Sequence, residues 1–217
     1  MSTDLLRSCL LAAAEAVESA RDELCRLDAA AGDGDHGVTM ALAARGVREQ
    51  LAAPPPDSNA ELLSRVALAV GSVGGAIGPL YASGLVAIAT TMRGAPSGAP
   101  LSVDVVVTCA QAAEVAISKL GRAAPGDKTI LDALHPAVES FHQARSAGAT
   151  VVAALDEAAV AAREGAAATA PMTATIGRAS RLGERSRGLA DPGASSFSLI
   201  LTAVAAAYGR ESAGRGQ

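Results

Sequence analysis

The sequence predicts an all-α bundle of eight antiparallel, up-and-down helices, and three observations predict it. Hydrophobic residues make up 50% of the chain but aromatics only 2%, so the apolar content is mainly Ala, Val and Leu, which suits closely packed helices. Apolar residues recur at threes and fours through most of the chain, and no stretch alternates convincingly as a strand. Gly- and Pro-rich breaks fall at intervals, and the mostly short connections they leave make sequential helices antiparallel neighbours. The 217 residues are enough for one sizeable core. The domain is expected over residues 1–208, with 209–217 a polar, frayed tail.

The first helix is expected from about Asp4 to Leu27, where Leu5, Leu6, Cys9, Leu10, Ala13, Val17 and Leu24 share a face. Ser2, Thr3 or Asp4 can cap it. A second runs from Gly37 or Val38 to about Leu51 and stops before Pro54-Pro55-Pro56, a stiff extended connector. A third covers roughly Asn59–Ser72 and ends in Gly74-Gly75-Ala76-Ile77-Gly78-Pro79, which cannot continue a helix. Pro79 suits the first turn of the fourth, which reaches about Met92. Arg93–Pro100 reads as an exposed Gly/Pro/Ser loop, and helix five as Val103–Leu120.

The segment Gly121–Thr129 nearly imitates a phosphate-binding P-loop, but Asp127 intervenes where the Lys is needed and no strand leads in. A helix start capped by Asp127 is expected instead, leading to a sixth helix that ends near Arg145. The seventh is expected over Ala149–Ala168, after Gly148. The irregular stretch from Pro171 carries four arginines, Arg178, Arg181, Arg185 and Arg187, among glycines. They read either as a solvated face or as phosphate-binding guanidinium groups. Asp191-Pro192-Gly193 is a turn that starts the last helix, Ala194–Tyr208.

Between the first two helices, Asp28, Asp33 and Asp35 fall within eight positions, separated by Gly32 and Gly34 and followed by Gly37. Three close carboxylates repel one another unless a cation neutralises them or one keeps a proton. Hard cations prefer oxygen ligands, and Mg²⁺ leaves coordination positions for phosphate oxygens. The same residues also suit turn chemistry, with Asp35 as an N-cap. An EF-hand does not fit: counting from Asp33, the glycine comes one place early and position twelve is Ala44, not Glu. In an up-and-down bundle the starts of helices two, four, six and eight gather at one end. The acidic loop would then share a rim with Gly74–Pro79, Pro125–Thr129 and Asp191–Gly193. Such a rim suits a metal-bound nucleotide polyphosphate.

Composition excludes other classes. The net charge is −4, with no basic block and no aromatic stacking platform, so nucleic-acid binding is not expected. Cys9, Cys25 and Cys109 are far apart and form no C-x-x-C pair. A reducing cytoplasm is the expected compartment. Neither a signal peptide nor a membrane-spanning run is found.

Taken together, Asp28-x₄-Asp33-Gly34-Asp35-His36-Gly37, Gly74-Gly75-Ala76-x-Gly78-Pro79-Leu80, Pro125-Gly126-Asp127-Lys128-Thr129, and Gly183-Glu184-Arg185-Ser186-x-Gly188 with Asp191-Pro192-Gly193-Ala194 resemble the ADP-binding L subunit of dihydroxyacetone kinases, in that family's order. The resemblance covers nearly the whole chain. It implies an eight-helix antiparallel barrel with the nucleotide, ADP or ATP, at one end. It also implies that Asp28, Asp33 and Asp35 bind two Mg²⁺ bridging the nucleotide phosphates. His36, Gly37, Val38 and Thr39 would line the phosphates, and Ala76 and Ile77 would contact the nucleotide. Gly121 and Ile130 would border the base or ribose, and Arg178 with Asp191, Pro192 and Gly193 would close the site. The family usually has a small hydroxyl residue at the Ile77 position and often His at the Leu189 position, so this chain departs at both.

His36 reads either as a capping or core histidine or, beside the acids, as a phosphate contact; the latter is favoured, and over a general base as well. In that family the sugar is held on a separate K subunit. These residues read as the L part alone, so a separate K subunit is the expected partner, with either a phosphohistidine-carrying phosphotransferase-system protein or ATP as phosphoryl source; the former is favoured. The competing expectation is a non-catalytic ADP-sensing module that docks on a regulator or enzyme. Oligomeric state stays open, a homodimer included.

Overall fold

The computed structural model describes residues 2–30, 32–93 and 103–214, and all its regular structure is helical. Nine α-helices are found among the described residues: α1 (Thr3–Ser19), α2 (Arg21–Ala29), α3 (His36–Ala52), α4 (Asn59–Gly71), α5 (Ile77–Arg93), α6 (Val103–Gly121), α7 (Leu131–Ser146), α8 (Val151–Ala168) and α9 (Pro192–Gly214). A 3₁₀ segment, Ala179–Ser186, bends at Gly183. The barrel closes on itself: α1 packs on α3, each helix from α3 onward packs on the next, and α9 returns to α1. The eight-helix antiparallel architecture is therefore present, with its first helix in two pieces.

That split is the main departure from the expected elements. A single helix to Leu27 is replaced by α1 and α2, which meet at Ala20 (φ −93°, ψ 6°). The bend lets α2 lie across the start of α3. There a Cβ on Gly37 would come within 1.9 Å of the Arg21 carbonyl oxygen, so only glycine fits.

Other boundaries move for local reasons. Ser2 caps α1, its Oγ accepting from the Leu5 amide at 3.2 Å, and Ser58 caps α4 in the same way at 3.1 Å. Thr150 caps α8, so that helix begins at Val151 and not at Ala149. α5 starts at Ile77, two residues early; Pro79 still lies in the first turn, where a missing N–H costs nothing. The last helix runs on to Gly214, past the expected end at Tyr208. The predicted Arg93–Pro100 loop lies, beyond Arg93, outside the described residues.

The two largest apolar clusters of the barrel differ in character. Leu24, Met40, Leu62, Leu63 and Val66 join α2, α3 and α4, with Ile77, Tyr81 and Leu85 of α5 packed against them. Full burial of a leucine such as Leu24 or Leu62 is worth about 1.5–3 kcal/mol. In the other half the small residues decide the spacing: Ala137 and Ala144 of α7 meet Ala154, Ala158 and Ala162 of α8, all buried. The alanine-rich composition thus becomes close helix–helix contact. Cys9, Cys25 and Cys109 are all free thiols. Among the described residues, no helix is long and apolar enough to cross a membrane.

Candidate functional site

A cavity of about 470 Å³ opens at the end of the barrel where α3, α5, α7 and α9 begin. The convergence expected from alternating helix directions is therefore realised. Its lining includes Asp28 from the end of α2 and Asp35, His36 and Thr39 from the first glycine-rich loop and α3. Gly75, Ala76 and Ile77 come from the second loop, Gly121, Lys128 and Ile130 from the third, and Arg178, Asp191, Pro192 and Gly193 from the segment before and into α9. Most of the remaining wall is aliphatic, with Leu80, Ile117, Leu120 and Ile176 among its residues.

The acids occupy the α2–α3 corner. Asp28 ends α2 and is buried, whereas Asp33 and Asp35 are exposed; one carboxylate oxygen from each lies within 4.8 Å of the others. Asp28 has a second task. Its Oδ2 accepts from the amides of Asp35 (3.0 Å) and His36 (3.3 Å), capping α3 from seven residues upstream. Asp35 holds the N-cap position but its side chain caps nothing, which leaves its carboxylate for other partners. Gly32 makes room for this arrangement, since a Cβ there would sit 2.3 Å from Asp28 Oδ1.

Arg178 reaches across from the segment before α9 to pair with Asp33 and, at 3.5 Å, with Asp35. Of the four arginines in that segment, only Arg178 meets the acids; Arg181 and Arg185 are exposed, and Arg187 binds Glu184 and Thr173. Desolvation raises the Asp35 carboxyl above its ordinary range, reinforced by the hydrogen bond and charge of Asp33. Desolvation also pushes Asp33 up, but its hydrogen bonds and the Arg178 charge outweigh this and hold it low. Such a split is what two adjacent carboxylates require when both cannot ionise freely.

His36 is buried, and desolvation pushes its pKa down to about 4 in spite of Asp28, so it is a neutral imidazole at pH 7. Its Nε2 lies 3.1 Å from Ser196 Oγ on α9. Thr39, one turn on, is buried on the same face of α3, while Val38 turns outward and is 45% exposed. Gly37, Val38 and Asp33 are the predicted site residues outside the cavity lining. Gly37 and Val38 belong to the first turn of α3, where amides lack intrahelical acceptors.

On the opposite wall, Asp191 had been assigned to the site from the sequence, whereas Lys128 had been read as part of a loop. Lys128 is buried at positive φ (61°), and its Nζ donates to the carbonyls of Leu189 (2.8 Å), Met172 (3.2 Å) and Ala170 (3.5 Å). The lysine of the near-P-loop is thus committed to backbone oxygens. Asp127 does not cap α7, as had been expected. It accepts from the Ala124 amide at 2.7 Å, while Asp132, inside α7, accepts from Gly126 (2.6 Å) and Thr129 (2.7 Å). The cap position itself falls on Ile130, which has no side-chain acceptor, so Asp132 reaches back to order the loop. Asp191 caps α9, its Oδ1 accepting from Ala194 at 2.7 Å. Its carboxyl is pushed up to about 7, first by burial and then by the charge of Asp132.

Two more residues were missed. Ser196 is fully buried beside His36, and Tyr81 Oη lies 3.1 Å from the same hydroxyl. The available signals were faint: a hydroxyl early in an apolar helix, and one of only two tyrosines in the chain.

A DAK2 domain model matches residues 30–206. The chain belongs to the DAK2 domain family. It is 38% identical over 185 residues to human triokinase/FMN cyclase, covering 84% of this chain and 31% of that protein. It is 34% identical to the ADP-binding subunit DhaL of PEP-dependent dihydroxyacetone kinase 2 from Listeria innocua, over 87% of each chain. The fold matches the crystal structure of the C. freundii dihydroxyacetone kinase in complex with AMP-PNP and Mg²⁺, with a TM-score of 0.71 and 26% identity, over 95% of this chain and 34% of that one. The chain thus spans about a third of the longer kinases and most of the length of the DhaL subunit. It is a DhaL-type domain of the dihydroxyacetone kinase group, and its barrel is that family's fold.

Proposed function

We propose that this chain is the nucleotide-binding subunit of a dihydroxyacetone-type kinase, supplying a phosphoryl group from Mg²⁺-bound nucleotide to a small ketose held on a separate K subunit. The observation that carries this reading is the acid cluster at the same cavity that four helix starts line. The donor set fits the metal: three carboxylates offer hard oxygen atoms within 4.8 Å of one another. The pairing of Asp33 and Asp35 with Arg178 marks the cluster as one that takes a positive partner. Asp28, Asp33 and Asp35 would hold two Mg²⁺, which supply charge neutralisation for the phosphates.

The rest of the cavity would bind and orient. First-turn amides of α3, with His36 and Thr39, face the phosphate end. Ala76, Ile77, Gly121 and Ile130 offer an aliphatic slot for base and ribose, and Arg178 with the Asp191–Gly193 turn closes the other side. No side chain here need act as a general base, because phosphoryl transfer depends chiefly on positioning and electrostatics. Division of the work between two subunits is therefore physically sensible.

The likeness to a PEP-dependent DhaL subunit over 87% of both chains favours the form in which bound ADP is rephosphorylated by a phosphohistidine protein over the form that exchanges ATP. Three unpaired cysteines suit the cytoplasm.

The test is mass spectrometry and ³¹P NMR of the purified protein, followed by transfer assays with a sugar-binding K subunit. ADP is expected to copurify, to survive gel filtration in Mg²⁺ and to be released by EDTA. Failure to bind nucleotide even with excess Mg²⁺ would sink the proposal. Retention of ADP without transfer to any ketose would point to the non-catalytic sensing module instead.

A further inference from the structure

Three helix starts meet at one serine beside the cavity. Ser196 of α9 is fully buried. Its Oγ lies 3.1 Å from His36 Nε2 on α3, 3.1 Å from Tyr81 Oη on α5 and 3.0 Å from the Gly193 carbonyl oxygen. Counting protons sets the direction of these bonds. Tyr81 has no other hydrogen-bond partner among the described residues, and burial keeps its phenol neutral. An enclosed O–H without an acceptor is costly, so Tyr81 donates and Ser196 accepts.

Ser196 then has one proton and two acceptors within reach, the Gly193 carbonyl and His36 Nε2. If the proton goes to Gly193, Nε2 must carry the histidine's N–H and donate to Ser196. Nδ1 is then bare and repels an anion. If the proton goes to Nε2, the histidine carries its N–H on Nδ1, for which no described residue provides an acceptor, and can donate it to an anion in the cavity His36 lines. A phosphate oxygen is only an acceptor, so an occupied site selects the second arrangement.

We propose that Tyr81 and Ser196 are positioning residues that set the tautomer of His36, through a one-way chain from Tyr81 Oη–H to Ser196 Oγ and from Ser196 Oγ–H to His36 Nε2, leaving Nδ1–H to donate to a nucleotide phosphate. This rests on the nucleotide reading of the cavity and assigns roles to two residues that touch neither phosphate nor metal. The chain also explains a polar contact among the starts of α3, α5 and α9: it makes a neutral histidine a donor of fixed orientation.

The experiment uses full-length protein labelled with ¹⁵N-histidine and loaded with Mg²⁺ and ADP. Long-range proton–nitrogen correlations, with His36 assigned through a His36→Gln variant, report which ring nitrogen is protonated. A protonated Nδ1 and a bare Nε2 are expected in the loaded protein. A protonated Nε2 with ADP bound overturns this proposal and leaves the nucleotide reading standing; absence of ADP binding by the wild type overturns both.

Affinities separate positioning from packing. Ser196→Ala should weaken Mg–ADP binding about tenfold, the scale of one lost hydrogen bond to a charged group. It also strands the Tyr81 hydroxyl, so thermal stability should fall. The double variant Tyr81→Phe/Ser196→Ala removes the stranded hydroxyl and should recover much of that stability. Its ADP affinity should stay at the Ser196→Ala level, because nothing then holds Nε2 bare. Recovery of both affinity and stability in the double variant would reduce the pair to packing and overturn the proposal.

Discussion

Two walls of the same cavity are built in opposite ways. At the α2–α3 corner Asp33 and Asp35 are exposed, and their positive partner, Arg178, is itself half exposed at the end of a long side chain. Across the cavity Lys128 and Asp132 are buried, and backbone groups hold their charged atoms: three carbonyls for Lys128, two amides for Asp132. Charges satisfied by fixed backbone dipoles hold loops in shape. Charges satisfied by another exposed side chain can change partner at little cost. The first wall is therefore the one offered to ligands, and the second is scaffold.

The sharpest way to break this contrast is at the exposed corner. Asp33→Ala should reduce Mg²⁺-dependent ADP retention by roughly a hundredfold or more, while circular dichroism and melting temperature stay close to wild type. Asp33 caps no helix, unlike Asp28, and its pair with Arg178 is exposed, so its loss should leave the fold intact. Wild-type nucleotide affinity in this variant would remove Asp33 from the metal set.

The scaffold wall should respond in the reverse sense. Lys128→Met leaves three carbonyls without their donor and keeps a non-glycine residue at positive φ. About 2–4 kcal/mol of stability should be lost, a fall of roughly 5–15 °C in melting temperature for a domain of this size. Nucleotide affinity, measured well below that temperature, should change less than in Asp33→Ala. A variant that melts like wild type but cannot hold ADP would place Lys128 among the ligand contacts and dissolve the distinction.

Arg178→Gln tests the partner change directly. The pair is exposed, so melting should hardly move, whereas Mg–ADP affinity should drop about tenfold as a guanidinium contact to phosphate is lost. Tighter binding in the variant, read by calorimetry, would make Arg178 a competitor of the metal.

The same contrast explains what the sequence disclosed. The acids were legible because Asp-Gly-Asp spacing reports chemistry locally, and the gathering of four helix starts followed from counting alternate directions. The bend at Ala20 was not legible, since what it allows is a close approach of Arg21 to Gly37, sixteen positions apart in the chain. Lys128 looked like a failed P-loop lysine because its acceptors lie more than forty residues away. Asp132 was invisible as a cap because it sits inside the helix whose approach it orders. Ser196 and Tyr81, 115 residues apart, meet only once the barrel closes. Residues that act through short-range spacing could be read; residues that act by long-range satisfaction of polar groups could not.

The smallest expected effect concerns Asp191, which belongs to the scaffold wall although it lines the cavity. Its carboxyl is raised from an ordinary 3.8 to about 7 by burial and by Asp132, against the Lys128 charge and backbone amides. Below pH ~4 it is protonated in both folded and unfolded chains. Between pH ~4 and ~7 the unfolded chain has released the proton and the folded one still holds it, so the folded state binds more protons and loses stability as pH rises. Above pH ~7 both are ionised and the slope ends. Asp191→Asn keeps an oxygen for the Ala194 amide but cannot titrate. Urea midpoints from pH 4 to 8, in EDTA and without nucleotide, should therefore decline more steeply in wild type than in Asp191→Asn. Asp33 and Asp35 titrate in both proteins and cancel in the difference. Parallel profiles would mean that Asp191 is ionised throughout, and that the scaffold wall, like the exposed one, carries a free charge toward the ligand.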